Sequence, residues 1–171
     1  MHFRIFLVFI LIFTLHSCNK KNEKTYSIEK NNPFETYKEG IEAFNINDFY
    51  FASKKFSEAE LNFDSPKLSA KSSIMSAYSL YAINFYKEAE ENLDRYLKNY
   101  PADKHVIYAH YLSAIIHFEQ MGDEKNDLKP LLESKKKIDF FLNKYPNNEY
   151  AIDLKFKQGL LQNQFAAKEL Y

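Results

Sequence analysis

The sequence of 171 residues has one cysteine, three glycines and no tryptophan. A single cysteine excludes an internal disulfide and a zinc site built from several thiolates. So few glycines argue against a glycine-rich phosphate loop and against a sheet-rich fold. The formal net charge is 0, so the chain lacks the overall excess of positive charge that is typical of proteins that bind nucleic acid. Hydrophobic residues make up 46% of the chain and aromatic residues 17%, enough for one domain with a sizeable core.

The amino terminus has the pattern of an export signal. A short basic end, Met1 to Arg4, precedes an apolar run at residues 5–15. This run is too short to span a bilayer as a helix, which takes about 20 residues, but it suits the core of a signal peptide. It ends in Leu15-His16-Ser17-Cys18, which resembles a bacterial lipobox. We therefore expect residues 1–17 to be a lipoprotein signal peptide.

The lipobox resemblance implies that Cys18 is the first mature residue and carries the acyl chains. Stable membrane anchoring takes more than one acyl chain, which such a residue would supply. The alternative is a free thiol in a cleaved leader. Asn19 favours the periplasmic face of the outer membrane, since Asp at this position tends to retain a lipoprotein at the inner membrane. Residues 18–32 are polar and lack periodicity, which predicts a flexible tether.

A helix pair repeats through the rest of the chain. Residues 70–101 show apolar positions at helical spacing on both sides of a break at Asn84. The end of this helix pair, residues 96–101, is repeated at residues 141–146. A looser copy of the pair precedes it around Gly40. The spacing of small and apolar residues resembles the tetratricopeptide repeat. This resemblance implies an all-α, right-handed solenoid of antiparallel helix pairs over residues 33–171, with repeats at about 33–65, 66–101 and 103–146 and a partial one at 148–171.

Capping residues and prolines predict where the helices lie. Asn32-Pro33 and Ser65-Pro66 start the first and third, and Asp103 caps the fifth. Residues 122–127 form an inserted loop between Ala114 and Ser134, which is either a solvated connection or a contact for a partner. We predict helices at about 33–46, 48–63, 66–83, 85–100, 103–121 and 129–145, with a seventh from about 148.

The tetratricopeptide pattern also implies a concave groove lined by the first helix of each pair. Aromatic side chains dominate the corresponding positions, which suits an apolar peptide in an extended or helical form. Packing against the next repeat is the alternative for each of them. The groove positions are Phe34, Tyr37, Ile41 and Phe44, then Lys71, Ile74, Tyr78 and Tyr81, then Tyr108, Tyr111, Ile115 and Phe118.

No motif for catalysis or for a cofactor stands out. His110 and His117 lie seven apart on one face of a predicted helix, with His105 five positions before His110, but no third ligand of suitable spacing stands beside them on that helix, so we expect no metal site. The sequence has no nucleophile motif, phosphate loop or dinucleotide fingerprint. We therefore predict a protein without enzyme activity and without a cofactor. Four carboxylates of the fourth helix are expected to be solvated on its outward face: Glu88, Glu90, Glu91 and Asp94.

A closer resemblance joins the lipobox, the tether and the repeats. Residues 76–81, 108–112, 144–151 and 164–169 are similar to the BamD family, the lipoproteins of the outer-membrane β-barrel assembly machinery. This resemblance implies a periplasmic scaffold anchored in the membrane by lipid. It implies as partners the barrel-forming subunit BamA, other subunits of the machinery and unfolded outer-membrane proteins. Family members usually carry about five repeats, whereas this sequence stops inside the fourth.

Two other classes share part of this pattern. A tetratricopeptide lipoprotein that pilots secretin or pilus assembly would have the same anchor and repeats. A peptidoglycan-associated enzyme would use the repeats only as a scaffold, but 171 residues leave no room for a catalytic domain.

Overall fold

The computed structural model describes residues 32–121 and 128–169, and every regular element in these ranges is an α-helix. The predicted all-α class is confirmed. The helix limits agree with the predicted ones to within two residues, except at the start of the fifth helix. The helices are α1 (Pro33–Asn45), α2 (Phe49–Asn62), α3 (Pro66–Ala82), α4 (Tyr86–Asn99), α5 (Val106–Glu119), α6 (Lys129–Lys144) and α7 (Tyr150–Glu169).

Two asparagines end the first helix of the first two pairs. Asn47 and Asn84 have φ angles of 62° and 61°, in the left-handed region that Asn tolerates better than most residues. The next amide then donates back across the turn, from Asp48 to the Ala43 carbonyl at 2.9 Å and from Phe85 to the Leu80 carbonyl at 3.0 Å. These bonds satisfy carbonyls that the helix end leaves free. The chain thus reverses in the same way in both repeats.

The connection from each pair to the next is also repeated. Tyr100 and Tyr145 end α4 and α6 with nearly equal backbone angles, and a proline follows each of them. Asp103 then accepts a hydrogen bond from the His105 amide at 3.0 Å, as Asn148 does from Tyr150 at 3.1 Å. The prediction that Asp103 caps α5 is wrong, because its carboxylate closes this turn and the helix begins only at Val106.

The core repeats with the helices. Each second helix buries a small residue, then a larger one four positions later, then a third that completes the stripe facing its partner. In the third pair the small residue is displaced by the insertion before α6, as the sequence predicted. These fully buried residues are Ala52, Phe56 and Ala59 on α2, Ala89, Leu93 and Tyr96 on α4, and Ser134, Ile138 and Phe141 on α6.

Gly40 shows why the first helix of a pair needs a small residue at this position. A Cβ atom placed there would lie 2.7 Å from Cε1 of Phe56, whose ring is fully buried. The two helices therefore approach closely at Gly40, and the same spacing brings Ala77 and Ala114 against their partner helices as buried residues.

Several sequence predictions fall outside the described residues. These are the signal peptide, the acylation of Cys18, nearly all of the tether and the loop at 122–127. Within the described ranges, no helix combines the length and the apolar character that crossing a bilayer would take.

Candidate peptide-binding groove

The first helices of successive pairs lie side by side. α3 contacts α5, and α5 contacts α7. The ring of Phe44 on α1 lies 5.8 Å from that of Tyr78 on α3, which continues the row to the first pair. The predicted groove residues therefore lie on adjacent helices, and aromatic side chains run along them from α1 to α7.

An exposed aromatic patch lies at the first pair. Phe34 is 64% exposed and packs edge-on against Phe63, with ring centroids 5.1 Å apart. Tyr37 lies between this pair and the core, 6.2 Å from Phe63 and 5.3 Å from Phe56. The Lys71 ammonium lies 5.2 Å from the Tyr37 centroid. The patch thus offers the exposed ring of Phe34, the neighbouring rings of Phe63 and Tyr37, and the Lys71 ammonium.

Five tyrosines form a cluster where α3, α5 and α7 meet. Tyr78 and Tyr81 lie 6.0 Å apart, and Tyr108 and Tyr111 lie 6.2 Å apart. Tyr150, from the start of α7, stacks on Tyr111 at 4.5 Å with an angle of 16° between the rings. Burial raises the pKa of Tyr81, Tyr108 and Tyr111, so these phenols stay neutral at physiological pH. The cluster is a partly buried surface of rings and hydroxyls.

The side chains of α7 fix one end of this cluster. The Tyr111 hydroxyl donates to Asp153 at 3.1 Å, and the Lys157 ammonium lies 3.5 Å from the same carboxylate. Lys157 also lies 4.9 Å from the Phe118 centroid. Tyr111 and Phe118 are therefore held by partners from the next repeat.

Two of the twelve predicted positions offer little surface to a ligand. Ile74 and Ile115 are each only 5% exposed and belong to the core. At these two positions packing accounts for the side chain, the alternative that the sequence left open. The peptide-binding role of the remaining positions stays a prediction.

Sequence reasoning missed three residues around the groove, Phe63, Tyr150 and Asp153. Phe63 follows the end of α2, and the other two lie on α7. The repeat pattern assigns groove positions to the first helix alone, so it gave no signal for Phe63. The turn at residues 145–150 has the same geometry as the turn at residues 100–105. A comparison of the two sequences could therefore have placed Tyr150 beside the cluster.

The histidines take part in packing and hydrogen bonding. His105 and Asp103 form a contact of 2.9 Å. His110 packs 4.9 Å from Phe140, and its pKa is lowered to about 4, chiefly by burial and then by nearby lysines. His117 lies 3.3 Å from Glu90. No group of three or more metal-ligating side chains occurs in the part of the chain that the structure describes.

Glu90 departs from the expected solvated face. Its side chain is only 16% exposed and meets Ser113 at 2.7 Å, Lys137 at 2.5 Å and His117 at 3.3 Å. Burial opposes its charge, yet these three partners lower its pKa to about 2. The prediction for Glu90 was wrong, since it joins α4, α5 and α6, whereas Glu88, Glu91 and Asp94 are exposed as expected.

Comparison with known proteins agrees with this architecture. The family model described as YfiO, outer membrane lipoprotein, matches residues 29–171. The chain is 30% identical over 154 residues to the outer membrane protein assembly factor BamD of Caulobacter vibrioides, covering 90% of this chain and 50% of that protein. It is 28% identical over 134 residues to the BamD of Rickettsia prowazekii, covering 78% and 53%. The chain spans about half the length of these curated relatives.

The helix pairs and their repeated core define a helical-repeat protein of the tetratricopeptide type. Within that class, the chain belongs to the YfiO family of outer membrane lipoproteins. The resemblance to the BamD family is thereby confirmed.

Proposed function

We propose that this protein is a scaffold in outer-membrane protein assembly, without enzyme activity. In this proposal its groove captures extended, aromatic segments of unfolded outer-membrane proteins and presents them to the barrel-forming subunit BamA. Other subunits of the machinery are its further partners. The name of the relatives, outer membrane protein assembly factor, supports the process. The aromatic groove supports the mode of binding.

The observation that carries the proposal is the open ring of Phe34. The Phe34 ring is 64% exposed and packs against the ring of Phe63. It therefore offers apolar surface to a ligand at little cost in conformational entropy. A second aromatic ring can enter edge-on beside it, as Phe34 and Phe63 already meet each other. From there the contact of Phe44 with Tyr78 leads to the tyrosine cluster, so an extended peptide finds successive rings along its path.

Anchoring belongs to the same proposal. Acylation of Cys18 would hold the domain at the periplasmic face of the outer membrane, with the polar residues after it as the tether. Mass spectrometry of the mature amino terminus tests this directly. An unmodified Cys18 in protein recovered from membranes would contradict it.

Peptide binding tests the groove. We expect a peptide that ends in Phe, with further aromatic residues at alternate positions, to bind more tightly than the same peptide with those residues changed to Ser. Phe34→Ser should weaken binding by about three- to tenfold, because it removes the exposed ring. Leu132→Ser is the matched control, since Leu132 is 52% exposed and lies on α6, which contributes no residue to the groove. Equal affinity for the two peptides would overturn the proposed mode of binding.

Purification of the lipidated protein from its own membranes tests the partners. We expect mass spectrometry to find BamA among the recovered proteins. Recovery of a secretin in its place would contradict the proposal and favour a pilot lipoprotein.

A further inference from the structure

A buried serine on α3 joins the first helix pair to the second. Ser76 is fully buried, and its hydroxyl donates to the Ser53 carbonyl on α2 at 3.0 Å. The same hydroxyl lies 2.8 Å from that of Ser57 on α2 and accepts from the Asn92 amide on α4 at 3.0 Å. A hydroxyl donates one bond and accepts two, so Ser57 is the donor in its pair and Ser76 uses its full capacity. The Ser76 junction is defined by these four residues.

The connection continues from Asn92 into an ion pair. The Arg95 guanidinium donates to the Asn92 side-chain oxygen at 2.9 Å and to the Glu60 carboxylate on α2 at 3.3 Å. The Tyr100 hydroxyl donates to the other oxygen of Glu60 at 3.1 Å. Both α2 and α4 pack against α3, and these side chains also connect them to each other, through Ser76 and through Glu60.

A polar link at this position recurs in the later pairs. Ser113 directly precedes the small residue of α5, as Ser76 directly precedes that of α3. Its hydroxyl donates to Glu90 on α4 at 2.7 Å and accepts from Lys137 on α6 at 3.0 Å. On α7 the corresponding residue, Gln158, donates back to α6 at 2.7 Å. The first helix of a pair is thus bonded at one repeated position to the second helix of the pair before it.

The Ser76 junction lies on the side of α3 opposite the groove. Tyr78 follows Ser76 by two positions, which turns its side chain by about 200° around the helix. Tyr78 contacts Phe44 on α1, whereas Ser76 is bonded to α2 and α4. Hydrogen bonds depend on direction, whereas the hydrophobic effect does not. The junction therefore holds the first two pairs at one angle without touching a peptide in the groove.

We propose that Ser76 is a positioning residue that sets the distance between the exposed aromatic patch at Phe34 and the tyrosine cluster. The patch belongs to the first pair and the cluster begins at Tyr78 on the second, so the angle between the two pairs determines their separation. A peptide that contacts both surfaces must match this separation with the spacing of its own aromatic residues. This inference rests on the proposed function and adds a spacing requirement to it.

Peptides with two Phe residues test the inference. The probes carry one Phe at the carboxyl end and a second one before a Gly-Ser spacer of about two to twelve residues. Reference peptides carry Ser in place of one Phe or the other. Calorimetry measures each peptide with the full chain and with Ser76→Ala, alone and combined with Asn92→Leu. The combined substitution removes both polar partners and retains apolar volume at Asn92, which spares the fold.

Ser79→Ala is the matched control. Ser79 is a fully buried serine on the same helix, but its hydroxyl donates within α3, to the Met75 carbonyl at 2.8 Å. Its substitution removes the same atom and leaves the links between the pairs in place. A loss of stability alone would lower the affinity for every peptide equally and would not change the dependence on spacer length.

We expect the full chain to bind the two-Phe peptide most tightly at one spacer length, by at least about tenfold over the reference peptides. The combined substitution should reduce this gain by about three- to tenfold and flatten its dependence on spacer length. Ser76→Ala alone should have a smaller effect in the same direction, and Ser79→Ala should leave the profile intact. The affinity for the reference peptides should stay the same in all variants.

A flat profile in the full chain, or an unchanged profile in the combined variant, would overturn this inference while the aromatic groove stands. An equal loss for two-Phe and reference peptides would also overturn it, because the junction would then act on stability alone. Failure of every Phe peptide to bind would overturn the proposed function and this inference with it.

Discussion

Two contacts between neighbouring helices, one at Gly40 and one at Glu90, depend on different physical properties, the first on shape and the second on charge. Between α1 and α2, Gly40 leaves room for the buried ring of Phe56, and this contact is apolar, although Lys55 and Glu39 also pair across the same two helices at 2.6 Å. At the joint of α4, α5 and α6, the Glu90 carboxylate is surrounded by Ser113, His117 and Lys137. The same repeating backbone is thus held together by two different kinds of contact.

The difference determines how each joint responds to its surroundings. Apolar packing at Gly40 does not involve a titrating group, so it should be insensitive to pH. The charged joint depends on an ionised carboxylate with little exposure, and removing one member leaves the others without their partner. Substitutions at the two joints should therefore differ in their dependence on pH as well as in size.

The largest effect is expected at Glu90. Its pKa in the folded state is about 2, below the value of about 4.3 for an unfolded Glu. Its contribution to stability is therefore complete above the unfolded pKa and is lost as the pH falls through the folded one. Glu90→Gln should lower the free energy of unfolding by about 2–3 kcal/mol at pH 7, with the loss shrinking below pH 4. Denaturant unfolding of both proteins across this range measures it.

Glu91 provides the control on the same helix. It is exposed and, within the part of the chain that the structure describes, meets only Lys87, at 4.0 Å, so Glu91→Gln should change stability by no more than a few tenths of a kcal/mol. A loss at Glu90 that stayed the same down to pH 2 would show that its charge is not what joins the three helices.

An intermediate effect is expected at Gly40. Alanine favours a helix over glycine by about 1 kcal/mol, but here its Cβ would meet the Phe56 ring at 2.7 Å. The ring is fully buried and has little room to move, so Gly40→Ala should cost about 1–2 kcal/mol net, equally at pH 3 and pH 7. Thermal unfolding at both values checks this. Adding Phe56→Leu should recover part of the loss if the clash is the cause, and a stabilised Gly40→Ala would refute close packing there.

The close contact at Gly40 could be predicted from the sequence, and the charged contact at Glu90 could not. Gly40, Ala77 and Ala114 recur with the repeat, so their place against the second helix followed from spacing alone. Glu90 looks like its exposed neighbours in sequence. Its carboxylate is only 16% exposed because Ser113 and Lys137 reach it from two other helices, and Lys137 lies beyond residues 122–127 in the sequence.

The burial of the predicted groove positions also followed only in part from the sequence. Spacing placed Phe34 and Tyr78 on the first helices of their pairs, but it could not separate a position that is open from one that the next repeat covers. Ile74 and Tyr78 lie one turn apart on α3, yet Ile74 is 5% exposed and Tyr78 lies partly open in the aromatic row. Which of the two is covered depends on the crossing of neighbouring helices, which a single sequence does not specify.

The smallest effect is expected at Gly159, which occupies on α7 the position that Gly40 occupies on α1. A Cβ atom at Gly159 would meet nothing within 4 Å, and Ile152 and Phe156, on the same side of the helix, are 77% and 67% exposed. With no clash to oppose it, only the helix preference of alanine remains, so Gly159→Ala should raise the free energy of unfolding by about 0.5–1 kcal/mol. Amide exchange in α7 should slow accordingly, while α1 and α2 stay unchanged. A destabilised Gly159→Ala would mean that a bulky side chain covers this face in solution, as Phe56 covers Gly40.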